Sequence, residues 1–588
     1  MADGPTTRSV SSDNDAPTGT TGGKGSAFWL TFFALAMCTL LSAIDLTAVG
    51  IALPTITKQL NGSDEFVWIG SAYALSSTAF LPLSGSFADI FGRRPVMIGS
   101  ILFFALGSAL AGAAQNMSMI IAARTIQGIG GGGILNLTEI ILSDLVPLAE
   151  RGLYQGLIGL TWAFAAGIGP PIVSLHEALV RVAVIDTIHR SPGRRVCPRC
   201  FLEVAFLSVR YSTYQVPSSI HKHANSLDLN LPLCGIAIVL VLIFFRVRTP
   251  PGNIKAKLAR IDWTGNFIVV AGATLAITGL TFGGIRFPWN SAQVLAPLII
   301  GLSLVATFLW YERKFPKEPS IPWEVVSDTV CLSGYIATFF HGVVAIALIY
   351  YISVYFQACL EAEPVRAGVD TIPAAIFVAV FSFIGGGIVQ AIKKYRPSNL
   401  AGWVFTIVGF GTMTLMKVSS STVQWVGYQV LATSGIGMLF TAPIFTVLAP
   451  LPPERNAAAL AFFAFIRNFA YTFGITIAAT VLQNELKQKL PEAFIQQFPS
   501  GVEIAFAAIP LIRTLEEPLK TDVKLAFAAS MATVWKVMVG ISGLGLLSML
   551  LMKEVPMRMF MDERFGIQEG EKTEDKEMSA QEVVVPQI

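Results

Sequence analysis

Apolar runs of about 20 residues recur along this chain, each ended by a short polar or basic break. A run of that length spans a bilayer as an α-helix. The runs are continuous rather than alternating, which argues against a transmembrane β-barrel. Fourteen helices are predicted, near 28–50, 67–88, 96–114, 117–141, 153–174, 229–245, 261–283, 293–312, 328–355, 367–391, 399–417, 422–449, 457–484 and 525–552. A bilayer offers no partners for free backbone N–H and C=O groups, and helices satisfy them internally. The expected fold class is therefore all-α, a polytopic membrane protein of 14 transmembrane helices.

The polar breaks orient the helices. Lys and Arg concentrate in cytoplasmic loops. Arg93 and Arg94 follow the second run, Arg151 the fourth, and Arg246, Arg248, Lys255, Lys257 and Arg260 the sixth. Arg313, Lys314 and Lys317 follow the eighth, Lys393, Lys394 and Arg396 the tenth, and Arg455 the twelfth. All are even-numbered exits, so these loops and both termini are expected in the cytoplasm. Two odd loops break the pattern: 485–524, which is long and carries several Lys, and the stretch after the fifth run. The polar end 1–26 and the last stretch of the C-terminal tail 553–588, "GEKTEDKEMSAQEVVVPQI", read as disordered.

Composition agrees. The chain is 53% hydrophobic and 13% charged, against roughly 25% charged in soluble proteins. A net charge of +3 gives no hint of nucleic-acid binding. Cys38, Cys234, Cys331 and Cys359 lie in or near apolar runs and read as packing residues. No nucleophile–base pair, phosphate loop or metal cluster stands out, so neither an enzyme, a cofactor nor a metal site is expected.

Charges inside apolar runs are costly and point to function. Asp45 lies well inside the first run and is a candidate titrating carboxylate; the alternative is a fixed Asp–Arg structural pair. Arg124 lies a few residues into the fourth run, with Gln127 one turn on and Glu139 deeper. The alternative for Arg124 is snorkelling to the outer surface. After the second run, "GSFADIFGRRP" sets Gly85, Asp89, Gly92, Arg93 and Arg94 in a tight polar turn. Trp162, Tyr350, Tyr351 and Phe356 are candidate cavity aromatics, with helix packing as the alternative.

Together "GSFADIFGRRP", "RTIQGIG", "DLTAVGIALP" and "GLTWAFAAGIGPP" resemble the signature motifs of the major facilitator superfamily. "IDWTGNF", "FFAFIRNFAYTFG" and the fourteen runs resemble its 14-helix drug:proton antiporter branch, and "SDLVPLAERGLYQG" its fungal members. The resemblance implies helices 1–5 over 27–174, helix 6 at 229–245, linker helices 7 and 8 within 246–327, and helices 9–14 over 328–552. It implies two pseudo-symmetric six-helix bundles, helices 1–6 and 9–14. Asp89, Arg93 and Arg94, with Gly85 and Gly92, are then the cytoplasmic gate, and Gly167, Gly169 and Pro170 the antiporter motif. Asp45, Arg124 and Glu139 are the residues expected to couple protons, with Gln127, Trp162, Tyr350 and Tyr351 toward the substrate. Ile90 stands where the family has a basic residue, Gly50 where Asn is common, and Ala391 where the second half would repeat the Asp.

The antiporter motif breaks off. Val173 and Ser174 occupy the places of a glycine pair, and no Trp-Arg-Trp precedes "LNLP" at 229–232. Residues 175–228 form an anomalous insert carrying Arg181, Arg190, Arg194, Arg195, Arg199, Arg210 and Lys222, with His176, His189, His221 and His223. "CPRC" with "HKH" has the wrong spacing for a zinc finger. Val-Ser is what a common intron donor sequence encodes, so 173–226 reads as a translated retained intron.

The expected function is a proton-coupled antiporter exporting small amphipathic compounds, a monomer in the plasma membrane with the vacuolar membrane as the alternative. A vacuolar basic amino-acid or siderophore carrier, and a non-transporting product of the disrupted helix 5, are the competing readings.

Overall fold

The computed structural model describes residues 25–59, 67–162, 164–165, 230–245, 253–284, 287–498 and 504–558. Gly167, Gly169, Pro170, the insert and both tails beyond these bounds lie outside the described residues. The long helices are α1 (Ser26–Gln59), α2 (Val67–Phe91), α3 (Arg93–Gly112), α4 (Met117–Leu145), α5 (151–162) and α6 (Asn230–Phe244). They continue as α7 (Trp263–Phe282), α8 (Ala292–Lys314), α9 (Thr329–Cys359), α10 (Ile372–Ile392), α11 (Arg396–Met413), α12 (Thr422–Leu448), α13 (Asn456–Lys489) and α14 (Leu519–Leu547). Among the described residues nine helices are long and apolar enough to cross a membrane. The other five segments fall at the remaining expected positions. The stretch 485–524 is less of a loop than its sequence suggests: it finishes α13, begins α14 and carries short helices at Glu492–Ile495 and Ile504–Ile512.

Polar caps start these helices where apolar sequence alone would not fix a boundary. Asn116 accepts from Met119 N at 2.8 Å ahead of α4, and Asp328 accepts from Val330 N and Cys331 N at 2.8 and 2.9 Å ahead of α9. Such caps are worth about 1 kcal/mol each. Ser421 and Gln424 form a capping box at α12.

Helix packing repeats. In the first half α3 and α2 pack on α4, and α6 packs on α1 and α3. In the second half α11 and α10 pack on α12, and α14 packs on α9 and α11. Between these sets α2 and α4 lean on α13, while α7, paired with α8, packs on α2 and α13. Cys38, Cys234, Cys331 and Cys359 are free and buried among these helices.

The even-numbered helix exits share one face. Lys393 Nζ donates to Ala149 O at 3.1 Å, joining the exits of α10 and α4. Arg94 Nη2 donates to Leu242 O at the end of α6 at 2.6 Å. Arg455, after α12, pairs with Glu324, after α8, at 3.3 Å. We call this the basic-loop face.

Candidate functional site

At the basic-loop face the turn after α2 depends on Gly92, whose φ of 93° disfavours any side chain. The turn throws Arg93 back into the protein, where it is buried. Its Nε donates to Asp144 Oδ2, and its Nη1 to Asp89 Oδ1 and Ala88 O, all at 2.8 Å. One guanidinium thus ties the end of α2 to the end of α4. Arg151 returns to donate to Ser143 O and Val146 O at 2.9 and 3.1 Å, capping the last carbonyls of α4. Gly85 sits at the contact of α2 with α13, where a Cβ would stand 2.6 Å from Ala461 Cβ.

The second charged centre lies toward the opposite face. Arg124 does not snorkel; it is 1% exposed, and Asp45 is fully buried. Arg124 Nη1 donates to Asp45 Oδ2 at 2.8 Å and to Gln127 Oε1 at 2.5 Å. Gln127 Nε2 donates to Asp45 Oδ1 at 2.8 Å, and Asn230 Nδ2 donates to the same oxygen at 2.6 Å. Gln127 also donates to Ser108 at 2.7 Å, and the guanidinium lies 4.5 Å from the Tyr73 ring centroid. Helices α1, α2, α3, α4 and α6 therefore meet at one carboxylate whose two oxygens carry three donors. A buried charge pair needs this degree of satisfaction to be tolerated.

The third centre lies between the halves. Glu139, about 22 Å along α4 from Arg124, is only half-buried. Both its oxygens accept from Gln155 Nε2 of α5 at 2.7 Å. Arg467 on α13 lies within electrostatic range of this carboxylate. Its guanidinium lies 4.5 Å from the ring centroids of both Phe440 and Phe463. Among the described residues its one hydrogen bond is Nη2 to Phe440 O at 3.5 Å, and Nε is buried without a partner. A charge at this depth costs about 2.5–3.5 kcal/mol on insertion scales. Each desolvated ring returns about 0.5–2 kcal/mol. Near Arg467, buried His341 bonds Ile436 O at 3.0 Å.

The expected coupling residues thus occupy two centres: Asp45 with Arg124 in one, Glu139 in another. Among the cavity candidates, Gln127 is fully buried and spent on the Asp45 network. Tyr351 is buried, its hydroxyl donating to Ile475 O of α13 at 3.2 Å. Phe356 is buried against Trp425. Trp162 packs beside Ala43 and Ile44 of α1. Tyr350 is 48% exposed. Arg467, His341, Gln155 and Asn230 were not singled out from the sequence. The signal for Arg467 was an arginine inside the apolar run "FFAFIRNFAYTFG".

The halves meet at the basic-loop face. Gly152 of α5 and Gly386 of α10 touch backbone to backbone. The segment after α14 then crosses that face. Glu554 accepts from Tyr395 N at 2.9 Å, and Tyr395 OH donates to Lys553 O at 2.5 Å. Arg558 donates to Leu451 O and Pro450 O after α12, and its own carbonyl accepts from Ala149 N after α4.

Residues 35–176 match the Major Facilitator Superfamily model. The chain is 34% identical over 558 residues to the MFS-type transporter gkaD of Penicillium citrinum, across 93% of this chain and 88% of that one. The chain belongs to the major facilitator superfamily. As a member it is an integral membrane transporter of small molecules, not an enzyme. Residues 232–474 of this facilitator match the fungal trichothecene efflux pump model, and the two matches leave 177–231 between them. It is 33% identical over 586 residues to the efflux pump FUS6 of Gibberella moniliformis, across 98% and 96% of the two chains. Its fold is similar to that of a bacterial homologue of the lysosomal transporter Spinster, with TM-score 0.55 and 14% identity over 90% of this chain and 98% of that one. A double-tryptophan mutant of XylE gives 0.54 and 14% over 91% and 98%.

Proposed function

We propose that this facilitator is a proton-coupled antiporter exporting small amphipathic compounds by alternating access. Helices α1–α6 and α9–α14 act as two bundles, and α7 and α8 link them. The observation that carries the reading is the polar centre between the halves, where Glu139 and Gln155 from one half meet Arg467 and His341 from the other. Ionisable groups facing one another inside a membrane mark an ion or substrate path. Transport at a midplane site by rocking bundles is how repeat-built transporters work.

Glu139 takes the proton-exchanging role in the state described, since it keeps part of its surface open whereas Asp45 is fully buried. Asp45 is closed off by Arg124, Gln127 and Asn230, and its exchange requires α1, α4 and α6 to separate. The Arg93–Asp89–Asp144 cluster with Gly85 and Gly92 is the gate at the basic-loop face, which is cytoplasmic. One proton crossing about 100 mV and two pH units releases near 5 kcal/mol, enough for a gradient of order 10³. Export is favoured because relatives at 33% and 31% identity, FUS6 and LUC4, are named efflux pumps. We place the monomer in the plasma membrane with both termini inside.

The test is dye and drug accumulation in an efflux-deficient yeast expressing the chain, Glu139→Gln and Asp45→Asn. The wild type is expected to lower accumulation, and a protonophore or Glu139→Gln to abolish the effect. Export that survives both would reject proton coupling; no export of any compound would reject the transporter's direction.

A further inference from the structure

We infer that Arg467 is a recognition site for the anionic group of the cargo, so that the preferred substrates are amphipathic organic anions. The inference rests on the proposed substrate path between the halves and adds the chemical class. A guanidinium carries five donors in a planar fork. Among the described residues one long hydrogen bond to Phe440 O is all that its donors make, Nε is buried with no partner, and the residue is 9% exposed. Among the described residues Arg467 makes no salt bridge.

Among the described residues the carboxylate of Glu139 does not serve it by contact. Glu139 is held by Gln155 through both oxygens. The fork is therefore positioned by two phenyl rings, with its donors largely unspent among the described residues. A carboxylate or similar planar oxyanion matches such an edge bidentately. The surroundings supply the rest of the ligand's chemistry. Phe440 and Tyr471 both keep part of their surface open near this centre. Aromatic walls with one convergent charge are what a flat apolar body with an acidic head requires.

The experiment uses the full chain purified in detergent. Naphthaleneacetate and its neutral amide, naphthaleneacetamide, are matched probes, and a rhodamine cation is the third. The wild type is expected to bind the carboxylate more tightly than the amide. Arg467→Gln should weaken the carboxylate roughly 30-fold and change the amide by less than about twofold. Arg467→Lys should recover part of the loss, because it keeps the charge and loses the fork. Equal loss of both probes, no loss, or a wild type that prefers the amide or the cation or binds none of the three would overturn the assignment. Thermal midpoint and gel-filtration profile check folding. If the Gln variant does not fold, the wild-type carboxylate-to-amide ratio and the Lys variant decide. Yeast accumulation of the rhodamine separates the two levels. Export of the cation with no carboxylate preference in binding removes only the anion assignment, whereas export of none of the probes removes the transport reading beneath it.

Discussion

Gly152 and Gly386 meet so closely that a Cβ on either would run into the other's carbonyl. They come from α5 and α10, so the contact joins the two halves at the basic-loop face. No side chain mediates it, and none can be inserted without parting the helices.

Gly386→Val is therefore expected to hold this face apart and cut export at least about tenfold, with overpacking of roughly 1–3 kcal/mol. The neighbouring Gly387 has nothing within 4 Å of a built Cβ. Gly387→Val is the matched control and should keep export near wild type. Equal loss in both variants, at equal protein levels, would remove the contact from the mechanism.

The Arg93–Asp144 pair is buried on both sides, at 2% and 5% exposure. Breaking a buried pair from one side costs about 3–5 kcal/mol. Asp144→Asn should lower the thermal midpoint of the detergent-purified protein clearly. Asp89→Asn, at 37% exposure, should lower it far less. The ordering of the two midpoints is the check.

On the opposite face Glu361 accepts from Lys520 and Lys524, each at 2.7 Å. Hydrogen bonds from Lys520 and then Lys524 hold its carboxyl below the usual carboxylate range. Arg513 donates to its carbonyl and approaches Glu363 at 3.8 Å. A depressed carboxylate stabilises the fold above its unfolded pKa and loses that stabilisation as pH falls through the folded value. Glu361→Gln should therefore reduce the thermal midpoint at pH 7, and the gap to wild type should close below about pH 4. A gap that widens in acid would contradict the pairing.

The stretch 173–226 breaks the antiporter motif, and the two family matches leave 177–231 between them. The dominant transcript is expected to lack this segment, and its product to restore a glycine pair after Pro171. Sequencing the message checks this directly. A dominant message that retains the segment would make the insert a genuine part of the protein.

How much of this was legible depended on what each residue's neighbours could reveal. Asp45 and Arg124 stood out because a charge in an apolar run is costly wherever it points, and each implied the other. Asn230 did not stand out, since an asparagine at a helix start has many ordinary uses; only the packing of α6 on α1 brings it to Asp45. Tyr350 and Tyr351 show the limit most directly. Successive helix residues point about 100° apart, so Tyr350 is exposed and Tyr351 is buried against α13. Nothing in either residue says which. Arg467 was as visible as Arg124 but was absorbed into a motif. Its unspent donors are a fact of its neighbours' geometry, not of its own identity.

The segment 551–558 leaves α14, runs past Tyr395 and ends with Arg558 touching the exits of α12 and α4. It makes the start of the C-terminal tail a natural sensor lead. A fluorophore attached at Met557, within this segment, sits where both halves of the transporter are within reach. Its environment should change each time that face parts, which makes a turnover visible without labelling either half.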